Sequence, residues 1–230
     1  MTGRVWAVIP VKRFAAAKTR LSPVLDADER AELARLMFED VIQAVTACSV
    51  ALDGTLVITI DTEAAAQARR RDAFVLGDVS ERGVNDALSR GLRYLEATAD
   101  GVIVVPSDIP QIASPALVES AAAIATGPAV ALVCAADDGG TNLFASRPLG
   151  LIKPQFGPRS FEQHRRAALQ AGVAVRTLHL PGLSLDIDRP EDLSRFLALG
   201  SKTRTHDFLS SIPLIERIER RLAVAAGAPS

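Results

Sequence analysis

Residues 5–20 read VWAVIPVKRFAAAKTR, an apolar run followed at once by a basic loop. The run Val5–Pro10 does not alternate between apolar and polar residues, which predicts a β-strand buried on both faces. Lysine binds phosphate as a point charge and arginine binds it as a planar fork. The stretch therefore predicts the first strand of an α/β sheet followed by an anion-binding loop, with an ordinary solvated loop as the alternative. The cations of this loop are Lys12, Arg13, Lys18 and Arg20.

Further apolar runs of strand length alternate with helical patterns, which predicts a mostly parallel sheet covered by helices on both faces. The predicted strands are Thr55–Ile60, Phe74–Leu76, Gly101–Val105, Ala129–Cys134 and Val173–Leu180. Predicted helices cover residues 64–71, 84–95, 115–125, 160–171 and 192–198. Pro190, at the opening of the last one, indicates that the preceding loop ends at Asp188 or Arg189. Another helix begins near Ala27, where Asp26 and Glu29 have the spacing of a capping box. Between Ala135 and Ser160 the sequence is rich in glycine and proline, and we expect loops there.

The composition is that of one globular domain. The 230 residues, 48% of them hydrophobic, can bury one sizeable core. A net charge of -1 gives no strong field for nucleic acid or for an anionic membrane surface. No apolar run approaches the roughly 20 residues of a membrane helix. With no signal-peptide cleavage site after the first strand, we expect a cytoplasmic protein.

The last thirty residues form a separate tail in this interpretation. We expect residues 1–200 to form the domain and residues 201–230 to carry an amphipathic helix over 211–225. Two uses of its apolar stripe remain open, which are docking on the domain and contact within a homodimer. The stripe consists of Ile212, Ile215, Ile218 and Leu222.

Three aspartates are candidates for binding a divalent metal ion. Ligands of open parallel sheets bind beyond the carboxyl ends of the strands, and Asp108 comes just after a predicted strand, within the sequence PSDIP. Asp186 and Asp188 are two residues apart, so an extended segment points both carboxylates to one side. Carboxylate oxygens suit Mg²⁺. An aspartate that caps a turn or a helix is the plain alternative for each.

Other polar residues lie at predicted helix starts and in the glycine-rich loops. Asn85, in a first helical turn, has the groups to pair with a base or a ribose edge. Ser160 opens a predicted helix, and together with Gly157 and nearby backbone N–H groups it is suited to hold a carboxylate or phosphate. His164 lies one turn further on the same side. An ordinary structural role is an equally good interpretation of each residue taken alone.

The motifs taken together resemble those of the CofC/FbiD guanylyltransferases. IPVK, AKTRLSP, GVNDA, PSDIP, DGGTN, FGPRSF and LDIDRPEDL occur in the order and spacing of that family over about residues 4–199. The resemblance implies a single-domain, Rossmann-like α/β fold of the glycosyltransferase-A type. It implies an enzyme of coenzyme F-420 biosynthesis that joins GMP from GTP to 2-phospho-L-lactate, phosphoenolpyruvate or 3-phospho-D-glycerate and releases pyrophosphate. It also implies Mg²⁺ as cofactor and a transient contact with the downstream deazaflavin transferase.

The resemblance also implies roles for individual positions. The family's metal positions correspond to Asp108 and Asp186, and Asp188 lies beside them. Its basic loop over the triphosphate, which would stabilise the leaving pyrophosphate, corresponds to Lys12, Lys18 and Arg20. Its acid-binding positions correspond to Thr141, Gly157 and Ser160. Arg159 departs from the family, in which an acidic or small residue is common, so the identity of the acid is the least constrained property.

Two other classes of protein stay open at this point. A nucleotidyltransferase of the same fold that transfers GMP to a molybdenum cofactor, or CMP to a sugar-alcohol phosphate, shares the basic loop but does not need FGPRSF. A non-catalytic nucleotide-binding regulator would be free to lose the metal carboxylates, yet all three are present. The basic loop has neither the GxxxxGK[ST] nor the GxGxxG pattern, so a P-loop or dinucleotide fold is unsupported.

Overall fold

The computed structural model describes residues 3–77 and 83–225, with side chains through residue 221. Its strands are β1 (Val5–Pro10), β2 (Gly54–Ile58), β3 (Phe74–Leu76), β4 (Gly101–Val104), β5 (Ala129–Cys134), β6 (Thr141–Arg147) and β7 (Ala174–Thr177). Its helices are α1 (Ala27–Thr46), α2 (Thr62–Arg69), α3 (Val84–Leu95), α4 (Ser114–Ala123), α5 (Ser160–Gln170), α6 (Pro190–Ala198), α7 (Arg204–Ser211) and α8 (Leu214–Ala225). None of the helices in these ranges has both the length and the apolar character needed to cross a membrane.

The seven strands form one sheet in the order β3-β2-β1-β4-β6-β5-β7. Neighbouring strands are parallel except where β6 lies antiparallel between β4 and β5. The predicted α/β class with a mostly parallel sheet is therefore confirmed. Parallel β1 and β4 are direct neighbours. The loops that follow them consequently leave the same edge of the sheet, which is where the basic loop and the PSDIP segment meet.

Strand β1 is buried on both faces, as its uninterrupted apolar sequence predicts. Ala7 and Ile9 pack with residues of α1, α2 and α4, whereas Trp6 and Val8 pack with residues of α3 and α5. Complete burial of an isoleucine or leucine side chain contributes about 1.5–3 kcal/mol. The three-layer packing therefore holds the edge of the sheet on which the site is built in a fixed position.

The expectation of loops from Ala135 to Ser160 is wrong for Thr141–Arg147, which form the buried strand β6. The strand begins with two polar residues that follow two glycines, so its sequence has neither a long apolar run nor clear alternation. Its partners β4 and β5 cover both of its edges. Pairing with segments that are distant in sequence, rather than local propensity, therefore makes it a strand.

A β-bulge at the start of β6 changes the direction of one side chain. Val133 pairs with Leu143, but the next pair is Cys134 with Thr141, so Asn142 is an extra residue. Such an insertion shifts the side-chain alternation by one position. Thr141 therefore lies on the α5 face of the sheet, where it contacts His164.

Several predicted element boundaries differ from those observed by one or two residues, and β7 is shorter than the predicted strand over residues 173–180. The predicted capping box of α1 is present, with hydrogen bonds of 2.9 Å in both directions between Asp26 and Glu29. Ser160 begins α5 and Pro190 begins α6. These features depend on local sequence, which explains why they were predictable.

The tail forms the two helices α7 and α8 instead of the single predicted helix, with Pro213 between them. Leu209, Leu214 and Ile218 are buried in a cluster with residues of α1 and α6. Arg217 of α8 forms an ion pair of 2.6 Å with Glu29. The tail is thus docked on the domain, whereas a homodimer stays a prediction. The side chain of Leu222 lies outside the described residues.

Candidate active site

A cleft of about 680 Å³ opens at the carboxyl ends of β1 and β4. The basic loop after β1, the start of α3, the loop after β4 and the Phe156–Gly157 segment form its walls. The ends of neighbouring parallel strands are the usual ligand site of an open α/β sheet. The predicted site residues that line this cleft are Lys12, Lys18, Arg20, Asp108, Gly157 and Asp188.

Lys18 is held inside the acidic part of the cleft. The residue has a left-handed backbone conformation, with φ of 54°, and its side chain is only 8% exposed. Its Nζ lies 2.7 Å from Asp108 Oδ2 and 2.7 Å from Asp188 Oδ1. Further back, the N–H of Phe14 donates to Asp61 Oδ2 at 3.0 Å, which anchors the basic loop to the N-cap of α2. The lysine therefore joins segments from three parts of the chain.

The charges of this cluster stabilise one another. Burial alone would lower the pKa of Lys18, but the attraction of the Asp108 and Asp188 carboxylates outweighs burial and raises that pKa above its ordinary value. Burial alone would raise the pKa of Asp188. The attraction of the nearby Lys18 ammonium outweighs the effect of burial, so the pKa of Asp188 is lowered. Lys18 is therefore a cation and Asp188 an anion throughout the neutral pH range.

Asp186 completes a group of three carboxylates. Each contributes an oxygen, and the three oxygens lie within 4.8 Å of one another. The backbone N–H of Ile187 donates to the carbonyl oxygen of Asp108 at 3.2 Å and joins the two segments. Burial and the charge of Asp108 raise the pKa of Asp186 to about 6, although Asn142 Nδ2 donates to it at 3.2 Å. Three converging carboxylate oxygens are a donor set that fits a hard divalent cation such as Mg²⁺. A bound cation would also stabilise the ionised form of Asp186, which burial disfavours.

Asp192 fixes the backbone beside this cluster. Its Oδ2 accepts hydrogen bonds from the N–H groups of Asp188 at 3.0 Å and Arg189 at 2.7 Å. The side chain is buried, and it caps the start of α6. Bonds to a carboxylate are stronger than bonds between neutral groups. Asp192 therefore fixes the position of the Asp188 backbone, from which the Asp188 side chain extends into the cluster.

A second polar group, made of Thr141, Ser160 and His164, lies on the α5 side. The hydroxyl of Ser160 donates to Thr141 Oγ1 at 3.0 Å, and His164 Nδ1 lies 3.0 Å from the same oxygen. All three residues are buried. Gly157, which borders the cleft, has a φ of 143°, a conformation that a residue with a side chain rarely adopts. The structure thus brings the three predicted acid-binding residues into one region.

Asn85 and Arg20 have partners within the protein. Asn85 Oδ1 accepts from the N–H of Phe156 at 2.7 Å, and its Nδ2 donates to the carbonyl of the same residue at 3.0 Å. The amide therefore holds the cleft-lining segment in place, and a contact with the base or ribose stays a prediction. Arg20 Nη1 lies 3.6 Å from Asp188 Oδ2, on a side chain that is largely exposed.

Sequence reasoning did not identify Asn142, Asp192 or Asp61 as parts of the site. Asp192 follows an Arg-Pro pair at the start of a predicted helix, so a search for first-turn acids that cap backbone N–H groups would have found it. Asp61 stands at the N-cap of a helix in the same way. Asn142 has no comparable local signal, because its contact with Asp186 joins two segments that are far apart in the sequence.

Comparison with known proteins assigns the chain to a family. The family described as "Guanylyl transferase CofC like" matches residues 5–224. The chain is 39% identical over 199 residues to the phosphoenolpyruvate guanylyltransferase of Rubrobacter xylanophilus, covering 85% of this chain and 95% of the relative. It is 34% identical over 206 residues to the 2-phospho-L-lactate guanylyltransferase of Methanothermobacter thermautotrophicus, covering 90% of each chain.

Solved structures support the same fold. A nucleotide-diphospho-sugar transferase from Desulfovibrio desulfuricans superposes with a TM-score of 0.73, covering 94% of this chain and 97% of that one at 16% identity. A nucleotidyl transferase from Methanothermobacter superposes with a TM-score of 0.62, covering 91% and 99% at 19% identity. These likenesses concern the fold alone, and the sequence similarity decides the family. The chain belongs to the CofC-like guanylyl transferases and is a nucleotidyltransferase.

Proposed function

We propose that this protein transfers GMP from GTP to a small phosphorylated three-carbon acid and releases pyrophosphate. One observation carries the proposal, which is the convergence of Lys18 with three carboxylates at one end of a cleft. The sequence similarity to guanylyltransferases named for phosphoenolpyruvate and 2-phospho-L-lactate supports the choice of substrates. The reaction would serve coenzyme F-420 biosynthesis in the cytoplasm, with the product passing to the downstream deazaflavin transferase.

The reaction is a substitution at phosphorus. A phosphate oxygen of the acid attacks the α-phosphorus of GTP, and the bond from that phosphorus to the oxygen bridging to the β-phosphorus breaks. Pyrophosphate leaves with the electron pair of that bond. The nucleophile is already ionised near neutral pH, so the protein does not need a general base. Catalysis then consists mainly of positioning and of charge neutralisation.

The acidic cluster would hold Mg²⁺ through Asp108, Asp186 and Asp188. When bound, Mg²⁺ neutralises charge on phosphoryl oxygens and orients them. Lys18 provides a fixed positive charge beside the same carboxylates. Lys12 and Arg20 also line the cleft and would bind the phosphates that leave as pyrophosphate.

The acid would occupy the region beside Thr141, Gly157 and Ser160. Hydroxyl groups and backbone N–H groups there can donate to a carboxylate or a phosphate. The geometry is consistent with this location, because Gly157 borders the cleft and Asn142, next to Thr141, contacts Asp186. The acid pocket and the metal site would therefore be neighbours, as the transfer reaction requires.

A pyrophosphate-release screen tests the proposal directly. The purified full chain is incubated with Mg²⁺ and each combination of GTP, ATP, CTP or UTP with phosphoenolpyruvate, 2-phospho-L-lactate or 3-phospho-D-glycerate. We expect release with GTP and one of these acids, with a guanylylated acid identified by mass spectrometry. The Asp108→Asn variant, which keeps the size of the side chain, gives the background level of pyrophosphate release. Release only with CTP would favour the rival cytidylyltransferase, and no release with any of the combinations would contradict the proposal.

A further inference from the structure

His164 of α5 makes two hydrogen bonds inside the protein. The backbone N–H of Gln155 donates to its Nε2 at 2.7 Å. Its Nδ1 lies 3.0 Å from the hydroxyl oxygen of Thr141. The ring is packed against Phe144 and Phe156, with centroid distances of 4.9 and 5.5 Å, and the residue is 1% exposed. The histidine is therefore held by hydrogen bonds at both ring nitrogens and by contacts with two aromatic rings.

These contacts determine where the ring proton lies. A backbone N–H can only donate, so Nε2 must be the unprotonated nitrogen that accepts from Gln155. A neutral imidazole with a free Nε2 carries its proton on Nδ1. Burial lowers the pKa of His164 to about 4, which keeps the ring neutral near pH 7. His164 therefore donates from Nδ1 to Thr141.

The hydroxyl of Thr141 consequently accepts twice. His164 donates to its oxygen from one direction, and the Ser160 hydroxyl donates from another at 3.0 Å. Both lone pairs of the oxygen are then used, and the remaining capacity of the group is its own proton. The two donors thus remove the rotational freedom that a hydroxyl normally has and leave it as a donor of fixed direction.

We propose that His164 is a positioning residue of the acid pocket, which orients the Thr141 hydroxyl so that it donates its proton to the phosphorylated acid. This inference rests on the proposed function, because it requires the acid to bind beside Thr141. The β-bulge at Asn142 places Thr141 on the face of α5, and this is what brings the hydroxyl to the histidine. A negatively charged acid is a strong acceptor, so the oriented proton favours it over a neutral ligand.

Two variants separate the two hydrogen bonds of the ring. The amide of H164N lies near the position of Nδ1 and can still donate to Thr141. The amide of H164Q reaches the position of Nε2, where it can accept from Gln155 but cannot donate to Thr141. We expect H164Q to raise the apparent KM for the acid roughly tenfold, the effect of one lost bond to a charged group, with the KM for GTP within about twofold. We expect H164N to recover most of the lost affinity for the acid.

A double variant tests whether His164 acts through Thr141. In T141V the hydroxyl is absent, so adding H164Q should cause little further change in the KM for the acid. Additive effects of the two substitutions would overturn the inference, and so would equal changes in both KM values. Thermal unfolding of each variant shows whether it is folded. If H164Q does not fold, the ¹⁵N shifts of His164 in the unaltered protein decide, and a proton on Nε2 would overturn the assignment.

Binding of the acid is measured separately from guanylyl transfer, by calorimetric titration with phosphoenolpyruvate, 2-phospho-L-lactate and 3-phospho-D-glycerate. If an acid binds but no transfer occurs, the proposed function fails. The inference is then tested by comparing the Kd for the acid among the same variants. If none of the acids binds, the inference fails as well. If transfer occurs with normal kinetics in H164Q, the inference alone fails.

Discussion

The ammonium of Lys18 lies 2.7 Å from a carboxylate oxygen of Asp108, a residue ninety positions further along the chain. The second contact of this lysine, to Asp188, also measures 2.7 Å. Lys18 therefore belongs to the acidic cluster. Arg20 approaches Asp188 to 3.6 Å with a largely exposed side chain, and Lys12 lines the cleft. A contact between Lys18 and the leaving pyrophosphate stays a prediction, and this geometry defines how the lysine can be tested.

Replacing Lys18 with methionine should lower the free energy of unfolding of the metal-free protein. It should also increase the stabilisation that Mg²⁺ causes. The variant loses the cation that lies between the Asp108 and Asp188 carboxylates and offsets their mutual repulsion. We expect a loss of roughly 2 kcal/mol in the free energy of unfolding, less than for a fully buried pair because both aspartates are partly exposed. Urea unfolding with EDTA and with Mg²⁺ measures both effects. An Mg²⁺-induced stabilisation smaller than that of the unaltered protein would contradict the expectation.

Replacing Asp108 with asparagine should abolish most of the activity without unfolding the protein. The amide keeps the size of the side chain but removes a charge from the proposed metal site. We expect kcat for pyrophosphate release to fall roughly a hundredfold or more. The matched control is Asp28→Asn, which changes an exposed aspartate in the first turn of α1. Turnover close to normal in the Asp108 variant would contradict the metal assignment.

Replacing Asp186 with asparagine should stabilise the metal-free protein at pH 8 while impairing activity. The pKa of Asp186 is raised to about 6, so its ionised form is disfavoured in the folded state. Its favourable contribution is present below the ordinary carboxyl pKa and is lost as the pH rises through 6. We expect the variant to gain about 2 kcal/mol at pH 8 and to gain nothing near pH 4.

Thermal unfolding in EDTA across that pH range measures the Asp186 effect. Asn142 can still donate to the new side chain, because an amide oxygen accepts as a carboxylate oxygen does. The comparison therefore isolates the charge. A stability difference that does not change between pH 4 and pH 8 would exclude Asp186 titration as its cause.

Replacing Ser160 with alanine should raise the KM for the acid more than the KM for GTP. The hydroxyl donates to Thr141 and belongs to the proposed acid pocket. We expect roughly a tenfold increase for the acid and less than a twofold increase for GTP, measured by pyrophosphate release. Ser210→Ala, on the exposed side of α7, is the control. Equal increases for both substrates would indicate that Ser160 only supports the helix start.

Replacing Asn85 with alanine tests whether its amide acts on the protein or on the nucleotide. Asn85 bonds to both backbone groups of Phe156, next to Gly157. If that is its role, the segment loosens and the KM for the acid rises several-fold, because each lost bond costs about 1 kcal/mol. An increase confined to the KM for GTP would instead support the predicted contact with the base or ribose.

Local sequence was sufficient to predict β1, the basic loop, the capping box of α1 and the starts of α5 and α6. In each case the signal lies within a few neighbouring residues, as for Asp26 with Glu29, or for Pro190 at the first position of a helix. The motif resemblance extended this to the family and to the residues of the cleft. Six of the predicted site residues do line one cleft, although they come from distant parts of the chain.

The tertiary structure alone decided how those residues are paired. The strand β6 forms because β4 and β5 supply its partners, and its bulge directs Thr141 to His164. The sequence determined that a basic loop follows the first strand, since that is a property of adjacent residues. Only folding brought Lys18 of that loop between Asp108 and Asp188, because hydrogen bonds and ion pairs depend on distance in space, which spacing along the chain does not specify.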